Sequence, residues 1–125
     1  MILSKEIKRE DFYNIFYTTI NSFLKLSKTE LAILSLFAKI RASLVQSNLS
    51  PDQIDATNFS ASNRRLVAST LDMSIYNLNN YIKSLKDKKI LLTKASRKIT
   101  IQPSLFPSPN SLEDIYSLEF KFKLV

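Results

Sequence analysis

The chain predicts a mainly α domain that ends in a small β-hairpin. Apolar residues recur at helical spacing in four stretches between residues 11 and 88. Ser27-Lys28-Thr29-Glu30 is a capping box, which opens a helix. Residues 90–93 read as a strand and residues 98–102 alternate like another, on either side of the polar turn Ala95-Ser96-Arg97. A length of 125 residues, with 45% hydrophobic and 23% charged content, suits one globular domain with a core of its own.

Taken in order, residues 2–8 read as a short strand. From Asp11, placed to cap it, a helix carries Phe12, Phe16, Ile20 and Phe23 at spacings of four, four and three, flanked by Ile15 and Leu24. Its rings, Phe12, Tyr13, Phe16, Tyr17 and Phe23, are expected to be core rather than the lining of a ligand pocket. The next helix starts at the Ser27 capping box. Leu31, Ile33, Leu34, Leu36, Phe37, Ile40 and Leu44 give it an apolar face so broad that it belongs at the centre of the domain. Residues 46–61, rich in Ser, Asn, Asp and Pro, read as a loop. A short helix from Ser62 to Thr70 is expected to turn Leu66, Val67 and Leu71 inward. After the joint Asp72-Met73-Ser74 a further helix runs to Lys88, with Ile75, Leu78, Ile82 and Leu85 stepping along its buried side. Pro103, Pro107 and Pro109 then interrupt regular structure. A helical turn near Leu112 to Tyr116 is expected before residues 118–124, whose strict alternation predicts a half-buried strand.

The chain has no cysteine, no histidine and no glycine. Disulfides, the usual zinc and copper sites, and Ser-His-Asp or Cys-His catalysis are therefore excluded. Without glycine there is neither a Walker A loop nor a dinucleotide-binding fingerprint. The acids are dispersed along the chain, which argues against a metal-dependent nuclease. No apolar run approaches the roughly 20 residues that cross a bilayer, and MILSKEIKRED meets charge too early for a signal peptide. The chain is thus expected to stay in the compartment where it is made, with no membrane, cofactor, metal or small-molecule substrate.

The net charge of +7 is concentrated. Between Ser62 and Gln102, nine cations (Arg64, Arg65, Lys83, Lys86, Lys88, Lys89, Lys94, Arg97 and Lys98) stand against two anions, Asp72 and Asp87. The rest of the chain carries nine of each sign. All the excess lies in one third of the chain, the pattern of a surface that meets a polyanion.

Residues 64–91, RRLVASTLDMSIYNLNNYIKSLKDKKIL, resemble the helix-turn-helix of bacterial and phage winged-helix regulators. That family places an apolar–Ala pair in the first helix, an apolar residue in the turn and a Ser cap on the second helix. Val67 with Ala68, Met73 and Ser74 fill those positions here. The stretch LSKTELAILSLFAKI, residues 26–40, is similar to the family's first helix. The resemblance covers residues 27–102 and implies a winged-helix domain there. Residues 1–26 then form an N-terminal strand and helix extension packed on the core, and residues 103–125 a C-terminal extension with a strand. The sequence departs from the pattern at Lys89, where the family commonly has glycine. Lys89 is expected to be left-handed, at a cost of about 1 kcal/mol relative to glycine.

The resemblance implies that residues 74–88 read double-stranded DNA. Tyr76, Asn77 and Asn80, near the helix start, are the expected base contacts, because Asn matches adenine through N6 and N7. Arg64, Arg65, Ser74 and Lys83 are the expected phosphate contacts, and Lys94, Arg97 and Lys98 the basic wing. Asp87 is expected to point away from the backbone or to pair with Lys83. The function expected is that of a non-catalytic, cytoplasmic transcriptional regulator, binding as a homodimer on a two-fold site. The alternative is a phage virion or assembly protein that uses the same domain for protein docking or nonspecific DNA contact. Surplus rings of the first helix and the edge of the last strand are the candidate protomer contacts.

Overall fold

A computed structural model describes residues 4–107 and 116–125. Among these residues, five α-helices precede a two-stranded antiparallel sheet. A 3-10 turn, Arg9–Asp11, leads into α1 (Phe12–Leu24), α2 (Lys28–Val45), α3 (Pro51–Asn58), α4 (Ala61–Thr70) and α5 (Ile75–Asp87). Strands β1 (Leu91–Thr93) and β2 (Ile99–Ile101) pair with Leu91 opposite Ile101, Leu92 opposite Thr100 and Thr93 opposite Ile99. A second 3-10 turn spans Pro103–Leu105.

Helix α2 is the centre. Its Ile33, Leu34, Phe37 and Ala38 are fully buried, and α1, α3 and α4 all pack on it. Four of the five helices open with a serine whose hydroxyl accepts the N–H three residues on: Ser27, Ser50, Ser60 and Ser74. Tyr13, Phe16 and Tyr17 of α1 enter the core as expected, whereas Phe12 is half-buried and Phe23, expected in the core, is 61% exposed. The two phenols also tie down the chain after β2: the Tyr17 hydroxyl donates to the Leu105 carbonyl at 2.7 Å and that of Tyr13 to Pro107 at 3.0 Å. Burial in that contact, with Tyr116 nearby, pushes the Tyr13 hydroxyl up to about 12, against a smaller opposing pull from Arg41.

Several expectations fail, each for a visible reason. Residues 46–61 are not one loop, because α3 occupies the middle. Ser50-Pro51-Asp52-Gln53 is a second capping box with proline in the first turn, and Ile54, Asp55, Asn58 and Phe59 give a one-sided buried pattern. Phe59 stacks on Phe37 with ring centroids 4.5 Å apart. Asp11 is in the helical region and its side chain does not cap α1; the 3-10 turn before it already supplies the lead-in. Of the strand expected at residues 2–8, residues 2 and 3 lie outside the described residues, and residues 4–8 form no strand and have none to pair with among the described residues. On α4 it is Val67 and Ala68 that are buried, with Leu71 half-buried, while Leu66 is 56% exposed because it lies on the far side of the helix. Ile75, at the first turn of α5, stays 38% exposed, and only Leu78, Ile82 and Leu85 of the stripe are buried. Residues 118–124 are exposed and form no strand, with no strand partner among the described residues. The helical turn expected near residues 112–116 lies, but for Tyr116, outside the described residues.

The lack of glycine leaves a mark on the backbone. Lys25, Asp72, Lys89 and Arg97 all have positive φ, between 54° and 65°. At Asp72 and Lys89 the reason is the same. The Met73 N–H reaches back to the Ala68 carbonyl (2.9 Å) and the Ile90 N–H to Leu85 (3.0 Å), closing the ends of α4 and α5 with a motif that needs a left-handed residue. Arg97 is left-handed because the hairpin has a three-residue loop, a tight turn followed by one left-handed residue. Replacing Lys89 by glycine is expected to raise stability by about 0.5–1 kcal/mol in urea unfolding, whereas alanine there brings no gain.

Candidate nucleic-acid interface

Helix α5 is strongly two-faced. Leu78, Ile82 and Leu85 are buried against the domain, while Tyr76, Asn80 and Lys83, spaced by four and three, lie exposed along the opposite side. Tyr76 is 74% exposed. Asp87, one turn further along the same side, is exposed and makes no ion pair with Lys83 among the described residues. The helix begins at Ser74, whose Oγ accepts the Asn77 N–H at 3.1 Å and keeps its own O–H free to donate. Asn77 is exposed but sits on the flank nearest α2, lining a shallow cleft with Lys28, Thr29 and Met73. It does not share the line of Tyr76 and Asn80.

The other flank of α5 faces the start of α4. An open cleft of about 400 Å³ is lined there by Phe59, Ala61, Arg64, Arg65, Ile75 and Asn79. Arg65 is exposed. Arg64 is half-buried: its Nε donates to the Phe59 carbonyl (2.9 Å) and a terminal nitrogen to Asn79 Oδ1 (2.8 Å). Burial lowers its pKa, but a guanidinium remains charged at any physiological pH. Arg64, expected as a free phosphate clamp, therefore acts first as a bracket between the end of α3, the start of α4 and α5. Asn79, its partner, was not singled out from sequence; only its place in the Asn-rich run marked it.

The far end of α5 is held by Glu30, a buried acid at the start of α2. Its carboxylate accepts the Ser27 N–H (3.0 Å), the Ser84 hydroxyl (3.0 Å) and the Lys88 ammonium (2.7 Å). Burial by itself raises its pKa. The Lys88 ammonium, the Ser27 amide and the Ser84 hydroxyl more than offset burial, so the net value lies below the usual 4.5.

The hairpin departs most from expectation. Arg97 stands exposed at its tip and Lys98 is half-exposed, but Lys94 turns back to the domain. Its ammonium lies 2.5 Å from Asp55 Oδ2 and 3.4 Å from Asp52 Oδ1, both on α3. The Asp55 pairing, with Asp52 adding to it and only slight burial opposing, raises the Lys94 pKa. Asp55 is fully buried and also pairs with Arg41. Lys94 is thus committed to a structural ion pair and is withdrawn from the wing contacts. Lys88 is likewise paired with Glu30, which leaves Arg64, Arg65, Lys83, Lys86, Lys89, Arg97 and Lys98 of the nine clustered cations without an ion pair among the described residues.

No family model, curated protein or solved structure matches this chain. Among the described residues no group of acids could hold a metal ion, and no helix is long and apolar enough to cross a membrane.

Because Glu30 has a lowered pKa in the fold, its contribution to stability is present above the ordinary value of 4.5 and is lost as pH falls through the folded value. Glu30→Gln removes the charge at every pH. In urea unfolding the variant is expected to be less stable by about 2 kcal/mol near neutral pH, with the gap to wild type narrowing in acid.

Proposed function

We propose that the chain is a non-catalytic DNA-binding protein of winged-helix type, a transcriptional regulator of the bacterial or phage kind acting in the cytoplasm. Residues 27–102 would form its DNA-binding unit. The observation that carries this reading is the outer line of α5. Tyr76, Asn80 and Lys83 are fully presented while the opposite side of the helix is core, and uncompensated cations flank them. Asn80 has the amide to bond adenine in a major groove, Tyr76 the ring for a thymine methyl or the hydroxyl for a phosphate, and Lys83 the charge for the backbone. Ser74 donates at the helix start, and Asn77 reaches a base edge only from the helix flank. Affinity comes from counterion release by Arg64, Arg65, Lys83, Arg97 and Lys98.

A second reading, a virion or assembly protein that docks on other proteins, is favoured by one observation, the exposed apolar residues at 118–125. Binding to pooled genomic fragments separates the two: enrichment of particular sequences supports the regulator, and uniform retention or none supports assembly.

With about five phosphates neutralised, log K is expected to fall against log salt with a slope near −4.5. Asn80→Ala should relax selection among fragments by about tenfold or more while leaving weak general binding. Arg97→Ala should reduce the salt slope by about 1, whereas Lys94→Met should lower thermal stability and leave the slope unchanged. Equal slopes for wild type and Arg97→Ala would remove the wing from the interface.

A further inference from the structure

Residues 116–125 read YSLEFKFKLV, and Tyr116 and Phe120 touch α1. Tyr116 meets Phe12 edge-on at 5.0 Å, and Phe120 stacks on Phe23 at 5.9 Å with the rings 14° from parallel. The segment forms neither helix nor strand, contains no proline or glycine, and has no strand beside it among the described residues. Its even positions (Tyr116, Leu118, Phe120, Phe122 and Leu124) are all apolar, and from Ser117 to Lys123 the odd positions are polar. An extended chain with that alternation is half of a sheet: one side asks for cover and the backbone asks for a neighbour. This chain covers it poorly, since Phe122 is 78% and Leu124 93% exposed.

We propose that this segment is a dimerisation strand and that its partner is the same segment of a second copy, antiparallel, with Phe120 on the two-fold axis. A two-fold contact requires a surface complementary to itself, and this one is. In that register Phe120 faces Phe120, Leu118 faces Phe122, Tyr116 faces Leu124, and Glu119 of each copy faces Lys121 of the other. Aromatic and opposite-charge pairs are the ones that stabilise neighbouring strands. Shifting the axis to Lys121 sets that lysine against itself. An axis on Phe122 brings Lys121 opposite Lys123, and one on Glu119 opposes two carboxylates. Among the registers centred from Glu119 to Phe122, only the Phe120 axis sets no like charges face to face. The apolar side of the paired ribbon then continues the aromatic side of α1 formed by Phe12, Phe16 and Phe23. The proposal goes beyond DNA binding and stands without it.

Glu119 and Lys121 are exposed and outside the core, so exchanging their charges leaves the fold intact. Sedimentation velocity on the full chain is expected to show a dimer at micromolar concentration. Glu119→Lys and Lys121→Glu should each weaken it about tenfold or more, because two attractive cross-strand pairs become repulsive. An equimolar mixture of the two variants should recover tight dimers. There the two altered positions face each other with opposite charge, and so do the two unaltered ones. A monomeric wild type, a dimer indifferent to both substitutions, or a mixture no tighter than its components would each overturn the proposal.

Discussion

Glu30 joins the beginning of α2 to the end of α5. One buried carboxylate completes the cap of the central helix and at the same time receives the Ser84 hydroxyl and the Lys88 ammonium from a helix more than fifty residues away. A buried acid left with an open lone pair is expensive, so α5 is held at the rotation and depth that deliver both donors. The other end of α5 is fixed by different means: the left-handed turn at Asp72, the Ser74 cap, and the Arg64–Asn79 bracket. Between these two anchors the stripe of Leu78, Ile82 and Leu85 leaves a single orientation. What α5 presents outward is therefore set by what it does inward.

A second buried acid does the same for the hairpin. Asp55 takes Arg41 from α2 and Lys94 from the start of the turn, so α3, α2 and the sheet meet at one charge. Lys94 consequently counts toward the net charge but not toward the field outside the molecule. The cations of residues 62–102 divide into Lys88 and Lys94, which are held in ion pairs with acids, Arg64, which is held as a bracket yet keeps its charge unpaired, and the remainder, which carries no ion pair among the described residues. A charge total cannot make that division; it takes the positions of Glu30, Asp52 and Asp55.

This also explains which features were legible in the sequence. Local signals were reliable wherever capping and periodicity agreed: the Ser27 box with its apolar run gave α2, and Ser74 with the Leu78, Ile82 and Leu85 spacing gave α5. Ala95-Ser96-Arg97 marked the hairpin turn, and the family's glycine position marked the left-handed Lys89. Helix α3 went unread because its Ser, Asp, Asn and Pro content suggests a loop, although Ser50 and Gln53 repeat the very box that identified α2. The outward line of the candidate interface followed from the helical period. Its inner shell did not, because Arg64 with Asn79 and Lys94 with Asp55 are contacts between elements 15 and 39 residues apart, which no periodicity records.

Periodicity names the face that needs a partner and is silent on who supplies it. On α5 the stripe was apolar and its own chain covered it, leaving a polar side open. Along residues 118–124 the same kind of pattern was expected to be half-buried, yet the chain supplies little beyond Phe23. The two open faces differ in chemistry, so they call for different partners: amide and ammonium groups suit a polyanion, whereas Leu and Phe suit another apolar strand. They are also compatible. An isologous contact through the tail would repeat every feature of the chain about a two-fold axis, α5 included, and under the proposed DNA-binding reading two copies of α5 related by such an axis would match a duplex site whose halves are related in the same way. The spacing of those halves would then be set by the length of α1 and by how far the tail carries each domain from the axis.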